Sequence, residues 1–409
     1  MTFRTTPVVA ALVVTGLLLA ACQEQLTAPG SCPATCPGGT PVLRDTVLDA
    51  LPDQDSIFTG YSLRGATLAG MRVANGLVGN TDYGVVRFLR RPDSLPVRDT
   101  ARDFTLDSVA IEVTLVARDT TASGILLALH RVPATTDTST TFAAIDPLVV
   151  PGTLIDSVTI TDSVRPAFKY RFVFQDSTLP LVDIPAADSG VFAMAIAISG
   201  AAATGVRIGG IGSGGAVPII RAYVTLNIPD TIPALKHQTI VRGPELSTFV
   251  SSAPVVAPDP TILAIGTPTG ARAMIRFPWP AYLRDSALLA RATLELVPEQ
   301  PMQGLSGDRA FVDARGVRVD FGAKSPSAGL GGTEALVFGS QDTVRIDVIV
   351  EIQSWQATRL PHPPVLFVNV SPEGASFTEP RFYSTRSPIA ARHPRIRITY
   401  QLPFAFERP

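Results

Sequence analysis

Histidines, cysteines, clustered carboxylates and glycine-rich turns are the places where chemistry would have to come from in this chain. They are sparse and scattered. His130, His237, His362 and His393 lie far apart. There is no His-Glu-x-x-His run and no paired spacing that would hold a metal. The Gly-x-Ser-x-Gly signature of a nucleophile elbow is absent; Ile211-Gly212-Ser213-Gly214-Gly215 only approaches it. Between strand-like runs, Gly209 to Gly215 reads as a loop needing positive φ rather than as a phosphate cradle. Asp53-Gln54-Asp55 with Gly60 suggests a calcium loop, but it lacks the further ligands and the closing Glu. An Asp-rich turn is the ordinary reading, with a structural calcium as the alternative. No other cofactor is implied. Cys32 and Cys36, three residues apart, make a poor zinc site on their own. Outside the cytoplasm they are expected to oxidise to a local disulfide, with free thiols as the alternative.

Sugar recognition asks for aromatic faces and for arginine forks that meet carboxylates. The second half of the chain supplies Arg272, Arg276, Trp279, Arg381, Tyr383 and Arg386 as candidates. Arg276 stands between Ile275 and Phe277, so strand alternation turns it away from both. It either lines a ligand-binding sheet face or pairs with an ordinary surface Asp. Trp279, in Phe277-Pro278-Trp279-Pro280, is the better candidate for an exposed ring, whereas Trp355 reads as core. Catalytic carboxylate pairs meet only in a fold and cannot be recognised by spacing. The expectation is a protein that is not an enzyme, with a hydrolase as the minor alternative. A net charge of −1, with no long basic block, argues against nucleic acid as a partner.

Only three of the 34 basic residues are Lys, whereas 25 of the 35 acidic residues are Asp. Together with 36 Pro, 32 Gly and abundant Val and Thr, this favours strands and turns over helices. Alternating runs predict strands near 84–89, 107–117, 124–131, 154–161, 168–174, 191–198, 205–211 and 217–227. In the second half they predict strands near 237–242, 261–265, 271–278, 287–297, 309–313, 316–320, 342–350, 363–370, 379–383 and 394–401. A short helical turn is expected at 350–358. Three short matches recur in the same order. Gly84-Val85-Val86-Arg87-Phe88 matches Ala273-Met274-Ile275-Arg276-Phe277. The run from Asp107 matches the run from Asp285, and Pro218 to Leu226 matches Pro394 to Tyr400. The expectation is therefore an all-β chain of two tandem, jelly-roll-like antiparallel sandwiches. Their boundaries are expected at 42–228 and 229–409, joined at the proline-flanked 227–233.

The first 21 residues place Arg4 before an apolar run from Val8 to Ala21. At about 14 residues the run is shorter than the roughly 20 needed to span a bilayer, and the order is that of an export signal. Leu19-Ala20-Ala21-Cys22 resembles a bacterial lipobox. That resemblance implies lipidation of Cys22 as the first mature residue. Gln23, rather than Asp, after the Cys implies onward transport to an outer membrane. Residues 22–41 read as a flexible tether. The second half resembles the DNRLRE-type β-sandwich modules of secreted bacterial proteins. The resemblance rests on Arg272 to Phe277, Ala290 to Leu296, Asp347 to Trp355, Phe382-Tyr383-Ser384 and His393 to Tyr400. It implies a non-catalytic sandwich, and some relatives bind acidic polysaccharides. The expected function is a membrane-anchored surface lipoprotein binding an extracellular or envelope polysaccharide. The alternative is a structural or adhesive envelope protein with protein partners.

Overall fold

The computed structural model describes residues 43–402 apart from 61–67, 69, 98–99, 162–166, 185–189, 229–232, 253–258, 267–269, 307–309, 357–360 and 372–375. The signal segment, the tether, Cys22, Cys32 and Cys36 lie outside the described residues.

Two strands come first, β1 (Leu43–Asp49) and β2 (Ser56–Phe58). Next are β3 (Gly70–Leu77), β4 (Asn80–Phe88), the small hairpin β5 (Leu95–Val97) and β6 (Thr100–Arg102), β7 (Phe104–Arg118) and β8 (Ile125–Val132). They are followed by β9 (Leu154–Ile160), β10 (Phe168–Gln175), β11 (Ala193–Ser199), β12 (Thr204–Gly209) and β13 (Ile219–Leu226). The second repeat brings β14 (His237–Arg242), β15 (Pro244–Ser251), β16 (Ile262–Ala264), β17 (Arg272–Arg276), β18 (Leu288–Leu296) and β19 (Ala310–Val317). The chain closes with β20 (Ser327–Leu336), β21 (Val344–Asp347), β22 (Val365–Ser371), β23 (Arg381–Tyr383) and β24 (Arg395–Gln401). The fold is all-β, as the composition predicts. The expected helical turn is the helix Ile349–Trp355.

One sandwich has a four-stranded sheet, β1-β24-β18-β21, facing a five-stranded sheet, β2-β17-β22-β19-β20. Connectivity between the two sheets is that of a jelly roll. Alternation explains the packing. Ile396, Ile398 and Tyr400 of β24 point inward and Arg395, Arg397 and Thr399 outward. Leu48, Ile275, Phe277, Leu294, Ile346 and Trp355 complete this core. The other sandwich curls into one continuous sheet, β14-β13-β7-β12-β3-β4-β11-β8-β9, with β10 added to β7 and β15 to β4. Its core holds Phe88, Ile111, Phe172, Phe174, Phe192, Ile196 and Ile220.

Pairing does not divide at 228/229. The first strand, β1, pairs with the last, β24, Leu43 opposite Gln401 and Asp49 opposite Arg395. Likewise β2 pairs with β17. Meanwhile β14 and β15, from beyond the expected boundary, pair with β13 and β4 of the first sandwich. Each repeat thus gives its opening strand pair to the other repeat's sandwich. The expected boundaries are corrected accordingly: one sandwich is built from 70–251, the other from 43–58 and 262–401. Local alternation marks a strand but carries nothing about which distant strand it meets, so the exchange could not be read from it.

The three matched segments fall on equivalent strands, β4 with β17, β7 with β18 and β13 with β24. Equivalence extends to the exchanged strands. Ile57 faces Ala273 where Phe249 faces Gly84, and Ala273 and Gly84 are matched positions.

The sandwiches also touch. Leu305 and Phe377 of the second pack on Ala74, Leu77 and Ala117 of the first. The Arg72 guanidinium lies between the Phe249 and Phe377 rings, 5.0 and 5.2 Å from their centroids. Gly205 is small for this reason: a Cβ there would stand 3.3 Å from Phe377 and 2.7 Å from Leu77.

Candidate functional site

Two groups of residues proposed separately from sequence meet in space. Asp55 is buried beside β2, and its carboxylate accepts hydrogen bonds from the backbone N–H and hydroxyl of Thr385, both at 2.8 Å. The guanidinium of Arg386 lies 3.3 Å from Asp55 Oδ1 and 3.5 Å from Asp53 Oδ1. It also donates to the backbone carbonyls of Asp53 and Asp55. From the other side, Arg276 donates to the Gln54 carbonyl at 2.7 Å and grips Asp320 with two bonds, 2.7 and 3.0 Å. Those bonds hold the Asp320 carboxyl below the usual carboxylate range. The 53–55 turn is therefore clamped between two arginines. Both oxygens of Asp55 are engaged and its charge is matched by Arg386, so the pair is built as a strand anchor rather than as a calcium loop.

The other candidates are placed as follows. Arg272 is half-buried opposite Phe58 of β2. Arg381 reaches Glu379 at 3.4 Å and Glu299 at 3.8 Å, and burial lifts the Glu379 carboxyl above its ordinary value. Tyr383 accepts a hydrogen bond from Arg392, whose guanidinium also lies over its ring. Trp279, only the better of the two candidates for an exposed ring, is half-buried against the core, edge-on to Trp355 with centroids 5.3 Å apart. The ordinary reading of Arg276, pairing with an Asp, is the one the geometry gives.

Within Gly209 to Gly215 only Gly214 has positive φ, at 66°. Gly209 and Gly210 instead allow close approach, since a Cβ on either would come within 2.2 Å of a carbonyl oxygen.

Two further groupings had no signal in the sequence. On the outer face of β1-β24-β18-β21, one row runs Asp49, Arg395, Glu295, Arg345. Glu295 is buried at its centre, bonded to Arg395 at 2.7 Å with Arg397 and Arg345 at 3.5 and 3.6 Å. Burial alone would raise its carboxyl, but Arg395 and Arg397 outweigh that and hold it below the ordinary range. The face is a checkerboard of opposite charges that satisfies itself.

The second is a cleft of about 280 Å³ on the outer face of β4-β11-β8-β9. Small side chains, Ala197, Ala128 and Ser157, form its floor, and Val149, Val150 and Pro151 form one wall. The wall belongs to the 133–153 connection, pinned where Tyr83 donates to Asp146 at 2.8 Å and stacks on Phe142. Burial, reinforced by Asp146, pushes the Tyr83 hydroxyl pKa up. His130 also lines the cleft, and burial holds it below the ordinary imidazole value. No lining residue carries a charge at neutral pH. Among the described residues there is no cluster of three or more His, Cys, Asp or Glu side chains able to hold a metal. No described helix is long and apolar enough to cross a membrane.

No family model matches the chain, and no curated protein matches it. Among solved structures, it aligns with the Macrobrachium rosenbergii nodavirus structure at 10% identity over 93% of this chain and 96% of that one, TM-score 0.15. It also aligns with a Clostridium perfringens ZmpB structure holding an M60 catalytic domain and two CBM51 domains. There the identity is 7% over 82% of this chain and 38% of that one, with a TM-score of 0.14. Neither likeness bears on the fold or the site.

Proposed function

We propose that this chain is a lipid-anchored, non-catalytic protein of the bacterial cell envelope, held at the outer membrane through Cys22. Its two interlocked sandwiches act as a rigid docking body for envelope partners. The observation that carries this reading is the clamp. Arg276 and Arg386, which would have served an acidic sugar, are spent on holding the strand pair next to the tether. The 262–401 sandwich is thereby tied to the anchored end of the chain.

The test uses residues 42–409, which retain every described strand. Passed over acidic and neutral polysaccharide gels, this fragment is expected to run unretained, while crosslinking of the anchored protein in cells recovers an envelope protein. Retention on a gel would restore the polysaccharide reading. That second reading draws on the uncharged cleft beside Ala128 and Ser157, which suits a neutral sugar better than a uronate. For the anchor, fatty-acid labelling is expected in the wild type and absent in Cys22→Ala. An unlabelled wild type would remove the anchor from the proposal.

A further inference from the structure

The two exchanged strand pairs are equivalent in register, so each could in principle fill either slot. Something must direct β1–β2 to the 262–401 sandwich and β14–β15 to the 70–251 sandwich. Two positions differ sharply in chemistry. With Pro218 matched to Pro394, Leu48 facing Ile396 is equivalent to Arg242 facing Ile220. Leu48 is buried in an apolar core. Arg242 is equally buried but donates to the carbonyls of Leu89 and Gly190 at 3.2 and 3.1 Å. Burial, with Arg91 nearby, already lowers its guanidinium to about 10.

By the register of β2 and β15, Asp55 is equivalent to Ser247. Asp55 accepts from the Thr385 N–H, and Ser247 accepts from the Ile211 N–H at 2.9 Å. Next to Thr385 stands Arg386, which matches the Asp55 charge; next to Ile211 stands Gly212. A strand pair in the wrong slot would therefore place the Arg242 guanidinium where Leu48 packs, and the Asp55 carboxylate where Gly212 stands in the position of Arg386. Burying either charge without its partner is strongly unfavourable.

We propose that Leu48 with Asp55, and Arg242 with Ser247, are the specificity residues that send each repeat's opening strands into the other repeat's sandwich. The device selects by penalising the wrong pairing as much as by favouring the right one. It makes the two sandwiches one unit, because neither can be completed by its own repeat.

The chain has no Cys beyond Cys36, so disulfide trapping in residues 42–409 is unambiguous. Asp45 faces Thr399 in the exchanged pairing. In the unexchanged pairing it would face Tyr223, by equivalence with Thr239. Two reporters, Asp45→Cys with Thr399→Cys and Asp45→Cys with Tyr223→Cys, are refolded separately and oxidised. The 45–399 bridge is expected to form and the 45–223 bridge to be at least about tenfold rarer, since a misplaced buried charge costs more than the 1.4 kcal/mol of one decade. Combining Leu48→Arg, Asp55→Ser, Arg242→Leu and Ser247→Asp is expected to shift that ratio at least about tenfold toward 45–223. Because this variant could fail to fold, Asp55→Asn, which removes the charge and turns one of the two accepting oxygens into an N–H donor, is measured beside it. Its ratio is expected to fall severalfold. A folded Asp55→Asn protein with the wild-type ratio would overturn the proposal, as would a 45–223 bridge dominating in the wild-type background.

Discussion

The two sandwiches share one strand order apart from the borrowed pair, which comes last in one and first in the other, yet one closes into a continuous curled sheet and the other stays as two separate sheets. Strand length makes the difference. In the first sandwich β7 runs 15 residues, β3 eight and β12 six. That is enough for β12 to pair with both β7 and β3 and stitch the two layers together. Their counterparts β18, β16 and β23 run nine, three and three residues. There the stitching shrinks to the short β16–β23 ladder and the single bridge between Pro298 and Phe382. The open sandwich therefore depends more heavily on its borrowed strands, and on the arginine clamp that seats them.

Removing those strands is expected to have the largest effect. Deleting 43–58 takes away an entire edge of the β1-β24-β18-β21 sheet together with Leu48. Amide exchange in 395–401 is expected to accelerate more than about tenfold, while 84–88 and 193–199 keep their protection because β15 still covers β4. Equal loss in both places would mean that the two sandwiches do not differ in this dependence.

The interface comes next. Arg72 and Asp82 form an ion pair at 2.6 Å with both side chains almost fully buried, the Arg72 guanidinium lying over the Phe249 and Phe377 rings. Arg72→Ala is expected to destabilise by about 3–5 kcal/mol, because it strands the Asp82 charge. Replacing both with apolar residues of similar volume is expected to cost far less. Chemical denaturation of the single and double variants separates a charge penalty from a packing one.

The same comparison can be made with pH. In the curled sandwich, His130 is held below its ordinary value by burial. The unfolded chain binds that proton more readily, so this contribution is lost as pH falls below about 6.5. In the open sandwich, Glu295 is held below the carboxylate range by Arg395 and Arg397, and its contribution is lost only as pH falls below about 4.5. Burial holds Glu351 in the opposite sense, so its contribution is lost as pH rises above that value. Exchange measured on the two sandwiches is expected to show the curled one loosening first on acidification, and His130→Phe is expected to abolish that lead.

Much of this architecture was legible in the sequence, in a pattern with a physical cause. Strands with one face buried, such as β10, β13 and β24, alternate cleanly and were expected near where they stand. The unexpected strands are β1, β2, β3, β5, β6, β15 and β20. Of these, β1 is an edge strand with Leu48 as its one fully buried residue, and β20 reads Ser327-Ala328-Gly329-Leu330-Gly331-Gly332 before its first Thr. Most of the exchanged strands are in this group, so the feature that interlocks the molecule sat where local pattern is weakest. Of the candidate site, residue types were legible but partners were not. Asp55 and Arg386 are 331 positions apart, and nothing in either neighbourhood names the other.

The smallest expected effect separates an essential arginine from a redundant one. Arg386 is the cation beside a fully buried Asp55, whereas Arg397 is one of three arginines around Glu295 and is about half exposed. Losing Arg397 leaves Arg395 bonded to Glu295 at 2.7 Å, so no charge is stranded. Arg397→Ala is expected to cost no more than about 1 kcal/mol, and less as salt screens the face. Arg386→Ala is expected to exceed it by about 2 kcal/mol or more, because Asp55 keeps only the Thr385 bonds. Thermal melts of both variants at low and high salt decide the matter. If the two losses are equal, the clamp is no more than another surface pair, and β1–β2 must be held by their ladders alone.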